Sequence, residues 1–380
     1  MRVLDINNLY SPTGGGIRIY HHERLKWCKT NGHENLLIYP SSKNTTVSLN
    51  GGTVKGLKSP KLAGSGYNFF TRREPIREVL KEFNPDIVEF GSGMVVPGMV
   101  KKQTSGIPSF AYFHSNWPET LPMSVLGLNA NVVSRLFSLL SLPLMRKAYQ
   151  PLNAVIGGSD YSVQKLKKAG LTNIRKVPLG TNPDIFHPNM RSEALRRTLG
   201  IGKNGKMILY MGRLAPEKGI HVLLEACNTL FTHNNLVLVI AGEGHWDKKV
   251  RRTAAADPAG IKLLPKVNGR TEAAQLMASA DAFVAAGPLE TFSLTTLEAL
   301  SCGTPVAACS QAAASELITK AGGDSTYSPW NSGEALAKAI LKAMEADKAK
   351  KEGFRNFAEK YTWDACFTRM FQIYKGHRKL

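Results

Sequence analysis

Cysteine is sparse in this chain of 380 residues, and the five present (Cys28, Cys227, Cys302, Cys309, Cys366) stand far apart with no Cys-x-x-Cys pair. Neither a disulfide framework nor a zinc site is indicated, and the thiols read as reduced and mostly packed. Long apolar runs are missing as well. Arg135, Pro143 and Arg146 break up the most apolar region, near 120–145, so nothing approaches the roughly 18–20 apolar residues of a membrane-spanning helix. The opening Met1-Arg2-Val3-Leu4-Asp5-Ile6 runs straight into a strand-like pattern and lacks the features of a secretory signal, so a cytoplasmic location is expected. Acidic residues are in deficit, 29 against 49 basic ones, for a net charge of +20. A field of that sign draws in polyanions: nucleotide diphosphates, anionic lipid surfaces or nucleic acid. The excess leans N-terminal, with 23 basic and 11 acidic residues in 1–190 against 26 and 18 in 191–380.

What is present is an ordinary globular composition, 43% hydrophobic and 21% charged, in a chain longer than one domain needs. Short β-rich runs alternate with stretches of helical period, the pattern of parallel sheets flanked by helices. In the first half the expected strands are 2–6, 35–39, 86–90, 109–113 and 154–157, the last followed by a helix near 160–169 that Asp160 is expected to cap. The proline-rich segment 174–190 reads as an interdomain linker. A second series follows at 206–211, 236–241, 261–265, 281–286 and 305–309. The expected fold is therefore α/β, with two doubly wound domains. Ligands of such sheets bind beyond the carboxyl ends of the strands, which is where chemistry is to be sought.

The densest constellation is 281–309: a strand, a loop carrying Glu290, a helix starting near Ser293 or Leu294 and containing Glu298, and the turn Cys302-Gly303-Thr304-Pro305. Amides at a helix start, here those near Leu294 and Thr295, can hold a phosphate. Glu298, about one turn in, is placed to accept hydrogen bonds from a diol such as ribose, and Glu290 to hold sugar hydroxyls. Taken singly, the two would be a solvated helix residue and a loop charge. Directly after strand 206–211, Arg213 and Lys218 in Gly-Arg-Leu-Ala-Pro-Glu-Lys-Gly can meet a diphosphate, one as a planar fork and one as a point charge. After the first strand, Ser11-Pro12-Thr13-Gly14-Gly15-Gly16 lets backbone approach a ligand closely. It does not complete a dinucleotide fingerprint, because Ile19 stands where the third glycine belongs. His114 closes the strand 109–113.

Glu290 and Glu298, with seven residues between them, resemble the Glu-x7-Glu signature of the retaining glycosyltransferases of family 4, and the resemblance covers nearly the whole chain. It implies the GT-B fold: two Rossmann-like doubly wound domains facing across a cleft, an acceptor-side domain over 1–180, a nucleotide-sugar-binding domain over 181–359, and a C-terminal helix, about 360–380, crossing back to the first. It further implies a hexose moved from a UDP-, GDP- or ADP-sugar to a hydroxyl acceptor, with front-face attack. Glu290 and His114 would serve the reacting sugar, while Gly15, Gly16, Arg213, Lys218, Ser293, Leu294, Thr295 and Glu298 would hold the donor. Domain closure about the linker would bring Gly15 and His114 to Glu290. One departure stands out: Phe292-Ser293-Leu294 occupies the place of the family's Phe-Gly-Leu. The chain also has no Asp-x-Asp, the metal-binding pair of another glycosyltransferase class, so no metal and no further cofactor is expected.

The base of the donor is assigned to a wall at 264–270. On the acceptor side, Lys55, Lys58, Lys61, Arg72, Arg73 and Arg77 alternate with Tyr67, Phe69 and Phe70, and the apolar run 132–148 offers a second face. Both suit peripheral attachment to an anionic membrane, and with it a lipid-linked or polysaccharide acceptor in glycolipid, lipopolysaccharide or surface-polysaccharide synthesis. A sugar-nucleotide epimerase or phosphorylase is the alternative of the same fold. Nucleic acid is not expected as a partner, since no recognised binding motif accompanies the charge. Trp363, Phe367 and Phe371 fall on one helical face and read as packing.

Overall fold

The apolar runs singled out above form the centres of two sheets. The computed structural model describes residues 1–61, 68–91, 95–120, 132–232 and 235–377, the side chains of 132–136 and 138 excepted. The chain divides into an N-terminal unit, Met1–Leu179 with Trp363–Leu380, and a C-terminal unit, Gly180–Thr362.

The N-terminal unit holds strands β1 (Arg2–Ile6), β2 (Glu34–Ser41), β3 (Thr45–Leu49), β4 (Gly52–Lys58), β5 (Ile87–Gly91), β6 (Ser109–Tyr112), β7 (Ala154–Gly157) and β8 (Ile174–Lys176). Their order in the sheet is β3-β4-β2-β1-β5-β6-β7-β8. All neighbours pair parallel except β3 with β4, a hairpin turned by Asn50 and Gly51 at φ 50° and 85°. Strand β8 is a correction to the linker reading. Ile174 pairs with Val155 and Lys176 with Gly157, so the first three residues of 174–190 are sheet. The helix cap is a second correction: Ser159, not Asp160, accepts from the Ser162 amide, and Asp160 pairs instead with Lys176 at 2.6 Å. A serine hydroxyl at the non-helical position satisfies the orphan donor; a residue already inside the first turn cannot.

Alternate strand residues serve opposite faces. Leu4, Ile6, Ile38, Val88, Phe90 and Phe113 pack under the helices Glu74–Phe83 and Val132–Tyr149. On the other face, Asp5 and Glu89 meet Arg24 of the helix Gly16–Thr30, all three buried, at 3.1 and 2.5 Å. The helix Trp363–Lys375 closes this side. Tyr374 takes part in the same network, with Arg24 donating to its hydroxyl at 3.0 Å, and Phe371 lies 4.7 Å from Trp27. Burial alone would raise Asp5, but Arg24 and hydrogen bonds from His21 and Asn35 hold its carboxyl below the usual range. Burial prevails at Glu89 and pushes it up, against the pull of Arg24.

The C-terminal unit holds β9 (Lys206–Met211), β10 (Leu236–Ala241), β11 (Ile261–Leu264), β12 (Ala282–Ala285), β13 (Val306–Cys309) and β14 (Thr326–Tyr327), all parallel, in the order β11-β10-β9-β12-β13-β14. Ile208, Tyr210, Leu238, Ile240 and Val284 share its core with Leu223, Leu336 and Ile340 from the covering helices. The two passages of chain between the units run side by side, where Thr181 donates to Tyr361 O at 2.8 Å. All five cysteines are buried, and burial pushes the thiols of Cys28 and Cys227 up to about 12. Among the described residues, no helix is long and apolar enough to cross a membrane.

Of the basic and aromatic segment, 62–67 lies outside the described residues, Tyr67 with it. Phe70 is buried in the core and Lys55 pairs with Glu82 at 3.1 Å, so these two face inward and sideways rather than forming one apolar surface.

Candidate active site

In the C-terminal unit the loops after β9 and β12 are packed together. Beyond Met211 the chain passes Arg213, makes a tight turn over Pro216–Lys218, and reaches Gly219 at φ 69° before the helix Ile220–Leu230. A Cβ at Gly219 would lie 2.5 Å from Ala286 O, so only glycine lets this loop sit on the end of β12. Two tyrosines brace the pair of loops: Tyr210 donates to Arg213 O at 2.8 Å, and Tyr327 to Ala286 O at 2.7 Å.

This packing brings Lys218 Nζ to 2.5 Å from Glu290 Oε1, across 72 residues of sequence, with both side chains part-exposed. Arg213 pairs at 2.6 Å with Glu217, whose carboxylate is nearly inaccessible. Glu217 escaped the sequence reading. Its signal was its place four residues after Arg213, which put the two on one face of a tight turn.

The helix Leu294–Ser301 begins four residues past Glu290, whose carbonyl accepts from the Ala313 amide at 3.1 Å. Ser293 precedes it at φ 68°, ψ 74°, a left-handed conformation that glycine adopts without cost and serine does not. Its hydroxyl meets that of Thr296 at 2.8 Å, and its carbonyl accepts from the Thr296 and Leu297 amides. Leu294 and Thr295 thus present the opening N–H groups, which have no acceptor within the helix. Glu298 is buried and paired with Arg270 at 2.7 Å. The 264–270 segment starts on the last residue of β11, and Arg270 opens the helix Arg270–Ser279. Arg213, Lys218, Glu290, Ser293–Thr295 and Glu298 therefore share one end of one sheet.

The remaining expected residues, Gly15, Gly16 and His114, lie in the N-terminal unit. Gly15 precedes the helix Gly16–Thr30 at φ −93°, ψ −123°, outside the helical and extended basins, and a Cβ there would meet nothing within 4 Å. His114, beyond β6, stacks on Tyr112 at 4.4 Å and meets the edge of Tyr20 at 4.6 Å. Tyr20 stands one turn into the helix that the glycines open, so helix and histidine share a wall. Burial first, then the neighbouring His21 and Arg24, hold the His114 imidazole well below its ordinary pKa, and the ring is neutral near pH 7. Among the described residues no three His, Cys, Asp or Glu gather as a metal site.

Two family models match, end to end. "Glycosyltransferase Family 4" matches residues 14–185 and "Glycosyl transferases group 1" residues 191–361. The chain is similar to the GDP-mannose-dependent alpha-(1-6)-phosphatidylinositol dimannoside mannosyltransferase of Mycobacterium tuberculosis, 28% identical over 376 residues, covering 97% of this chain and 95% of that one. It is similar to a GDP-mannose-dependent alpha-mannosyltransferase of Corynebacterium glutamicum, 26% identical over 80% of this chain and 71% of the relative. Its fold matches that of sucrose-phosphate synthase from Thermosynechococcus elongatus with a TM-score of 0.79, at 16% identity, over 99% and 98% of the two chains.

Proposed function

The chain belongs to the family 4 glycosyltransferases and has their GT-B fold, and from that footing we propose that it moves a hexose from a nucleoside-diphosphate sugar to a hydroxyl acceptor with retention of anomeric configuration and without a metal. The observation that carries this reading is the Lys218–Glu290 contact. It joins a phosphate-seeking cation to a sugar-seeking carboxylate beside an open helix start. Arg213, Lys218 and the Leu294 and Thr295 amides take the diphosphate. Glu298 takes the ribose hydroxyls and Glu290 those of the hexose. Neutral His114 offers the sugar a hydrogen bond without adding charge, and Gly15 and Gly16 leave room for the backbone to approach the donor.

The acceptor hydroxyl attacks the anomeric carbon from the face the diphosphate leaves. The bond from that carbon to the phosphate oxygen breaks, the bond to the acceptor oxygen forms, and the leaving oxygen takes the acceptor's proton. Negative charge grows on the diphosphate, and two fixed cations and a helix dipole stabilise it there. Before the donor arrives, Lys218 and Glu290 neutralise each other, and the donor repartitions them: the cation to phosphate, the carboxylate to hydroxyls.

The names of the two relatives favour GDP-mannose as donor, and that of the mycobacterial relative a lipid-linked glycan as acceptor. The surface agrees with a lipid. Four of the large exposed apolar side chains, Val95, Leu139, Leu140 and Leu144, lie on the helices Val95–Met99 and Val132–Tyr149, which pack together. Lys101, Lys102, Arg146 and Lys147 stand exposed beside them. Leucines that enter an interface next to cations that meet headgroups describe peripheral attachment to the cytoplasmic face of an anionic membrane.

The test is a thermal-shift panel of GDP, UDP and ADP with their hexose conjugates, followed by product analysis. A new glycoside with the donor's anomeric configuration, formed only when acceptor is present, supports a retaining transferase; isomerised sugar nucleotide without acceptor overturns it. Glu290→Ala should remove at least about 99% of turnover, a loss of about 2.7 kcal/mol of transition-state stabilisation or more. Turnover near wild type would remove Glu290 from the site. Sedimentation with phosphatidylglycerol vesicles at low salt tests attachment, which Leu140→Ser with Leu144→Ser should weaken.

A further inference from the structure

The N-terminal unit carries a hollow at the opposite end of its sheet from His114. Ser109, the first residue of β6, and Asn153, just before β7, line a cavity of about 330 Å³ at the amino ends of these parallel strands. Substrates of such sheets bind beyond the carboxyl ends, so the cavity lies apart from the sugar-facing residues of this unit. Its charge has one sign. Lys101, Lys147 and His377 line it, and among the described residues no Asp or Glu does. Neither lysine pairs with a carboxylate among those residues. Asn153 Oδ1 accepts from the Ser109 amide at 2.8 Å, which leaves its NH2 group to donate. The cavity also adjoins the apolar face of the same unit. Leu140, Leu144 and Lys147 stand at i, i+4 and i+7 of one helix and so share a side, with about 10 Å of rise from first to last. On the helix packed against it, exposed Val95 and the cavity-lining Gly98 are three residues apart, and a Cβ at Gly98 would meet nothing within 4 Å.

We propose that this cavity holds the phosphate of an anionic phospholipid, gripped by Lys101 and Lys147, with His377 and Asn153 completing the set of donors. An apolar side of a helix enters an interface by roughly 5–10 Å, so cations one or two turns farther along that side stand at the level of the phosphates. This rests on the peripheral attachment proposed above and adds to it a built site that takes one headgroup. A diffuse field counts charges wherever they stand near the surface, whereas a cavity counts only those that line it.

The test removes two charges from the full-length protein in two ways. Lys101→Gln with Lys147→Gln takes them from the cavity wall, and Lys102→Gln with Arg146→Gln takes them from adjoining residues that do not line it. All four side chains are exposed, so both variants should keep the wild-type melting temperature. In sedimentation with mixed phosphatidylcholine and phosphatidylglycerol vesicles, the first pair should lower affinity at least tenfold and the second no more than threefold. Titration with sn-glycero-3-phosphoglycerol, the same headgroup without acyl chains, separates a lipid from a soluble phosphate ester. It should bind at least tenfold more weakly than vesicle lipid, equally to the wild type and to Leu140→Ser with Leu144→Ser, and not to the cavity pair. Equal losses from the two charge pairs would leave only a field, and the inference falls while attachment stands. A deacylated headgroup that binds as tightly as vesicle lipid would make a soluble phosphate ester the ligand and overturn the lipid assignment. A wild type that does not sediment with the vesicles would remove both readings.

Discussion

At Ser293 a side chain occupies a backbone conformation that ordinarily belongs to glycine, with φ at 68°. The strain is offset by the hydroxyl contact to Thr296. Serine→glycine exchanges one term for the other, each roughly 1 kcal/mol, so Ser293→Gly should stay within about 1 kcal/mol of wild type in urea unfolding. Ser293→Val has no such compensation and adds a β-branch at positive φ, so it should cost about 2 kcal/mol or more. His114 carries a pH prediction. Its folded-state pKa lies well below 6.5, so the unfolded chain binds more protons there, and stability present above pH 6.5 is lost as pH falls. His22, held down to about 4 by burial and then by Arg18 and His21, acts in the same direction. Glu89, shifted up, acts oppositely above its ordinary value, so the comparison must be between proteins at each pH. Replacing His114 with Asn should flatten the dependence of unfolding free energy on pH between 6.5 and 5 by up to about 1.4 kcal/mol per pH unit. An unchanged slope in urea titrations would assign the ring no part in it.

Among the elements, the helix Trp363–Lys375 has the sharpest consequence. Phe367 is fully buried, 5.5 Å from Tyr20 and stacked at 5.6 Å on Trp363, so Phe367→Ala should destabilise the N-terminal unit by about 3–5 kcal/mol. Its loss is read by intrinsic fluorescence during denaturation. The packing face of that helix was legible because Trp363, Phe367 and Phe371 repeat every fourth residue. The central strands were legible for a related reason: a parallel strand covered on both faces is a continuous apolar run. Strands β3 and β4 were not, since β3 is an edge strand of Thr and Ser, although Asn50-Gly51 marks the hairpin between them. Strands β8 and β14, of three and two residues, are too short to show a period. In the candidate site, Lys218 and Glu290 were found through the motifs that carry them. Glu217 and the pairing of Arg270 with Glu298 were not, because each is defined by a partner that only folding supplies. Asp5 and Glu89 were hidden inside strands whose other residues are apolar, where a lone acidic letter was the clue to a buried cation.

For the molecule as a whole, two sheets with separate cores predict two unfolding events rather than one. Scanning calorimetry should resolve them, and a saturating nucleoside diphosphate should raise only the one belonging to the C-terminal unit, by about 2.7 kcal/mol at a hundredfold excess over Kd. A single transition that shifts entire would mean that the units melt as one body. The N-terminal unit is also assembled from both extremes of the chain, residues 1–179 and 363–380. On the ribosome, then, the half that is made first is finished last. Its sheet must wait, with the Asp5 and Glu89 face covered by the helix Gly16–Thr30 but not yet by Trp363–Lys375, through the synthesis of 183 intervening residues. A chain released before residue 363 would keep every residue of the C-terminal unit and leave the N-terminal unit without its covering helix, open to chaperones and proteases, so quality control would meet the loss of one helix as an unfinished sheet.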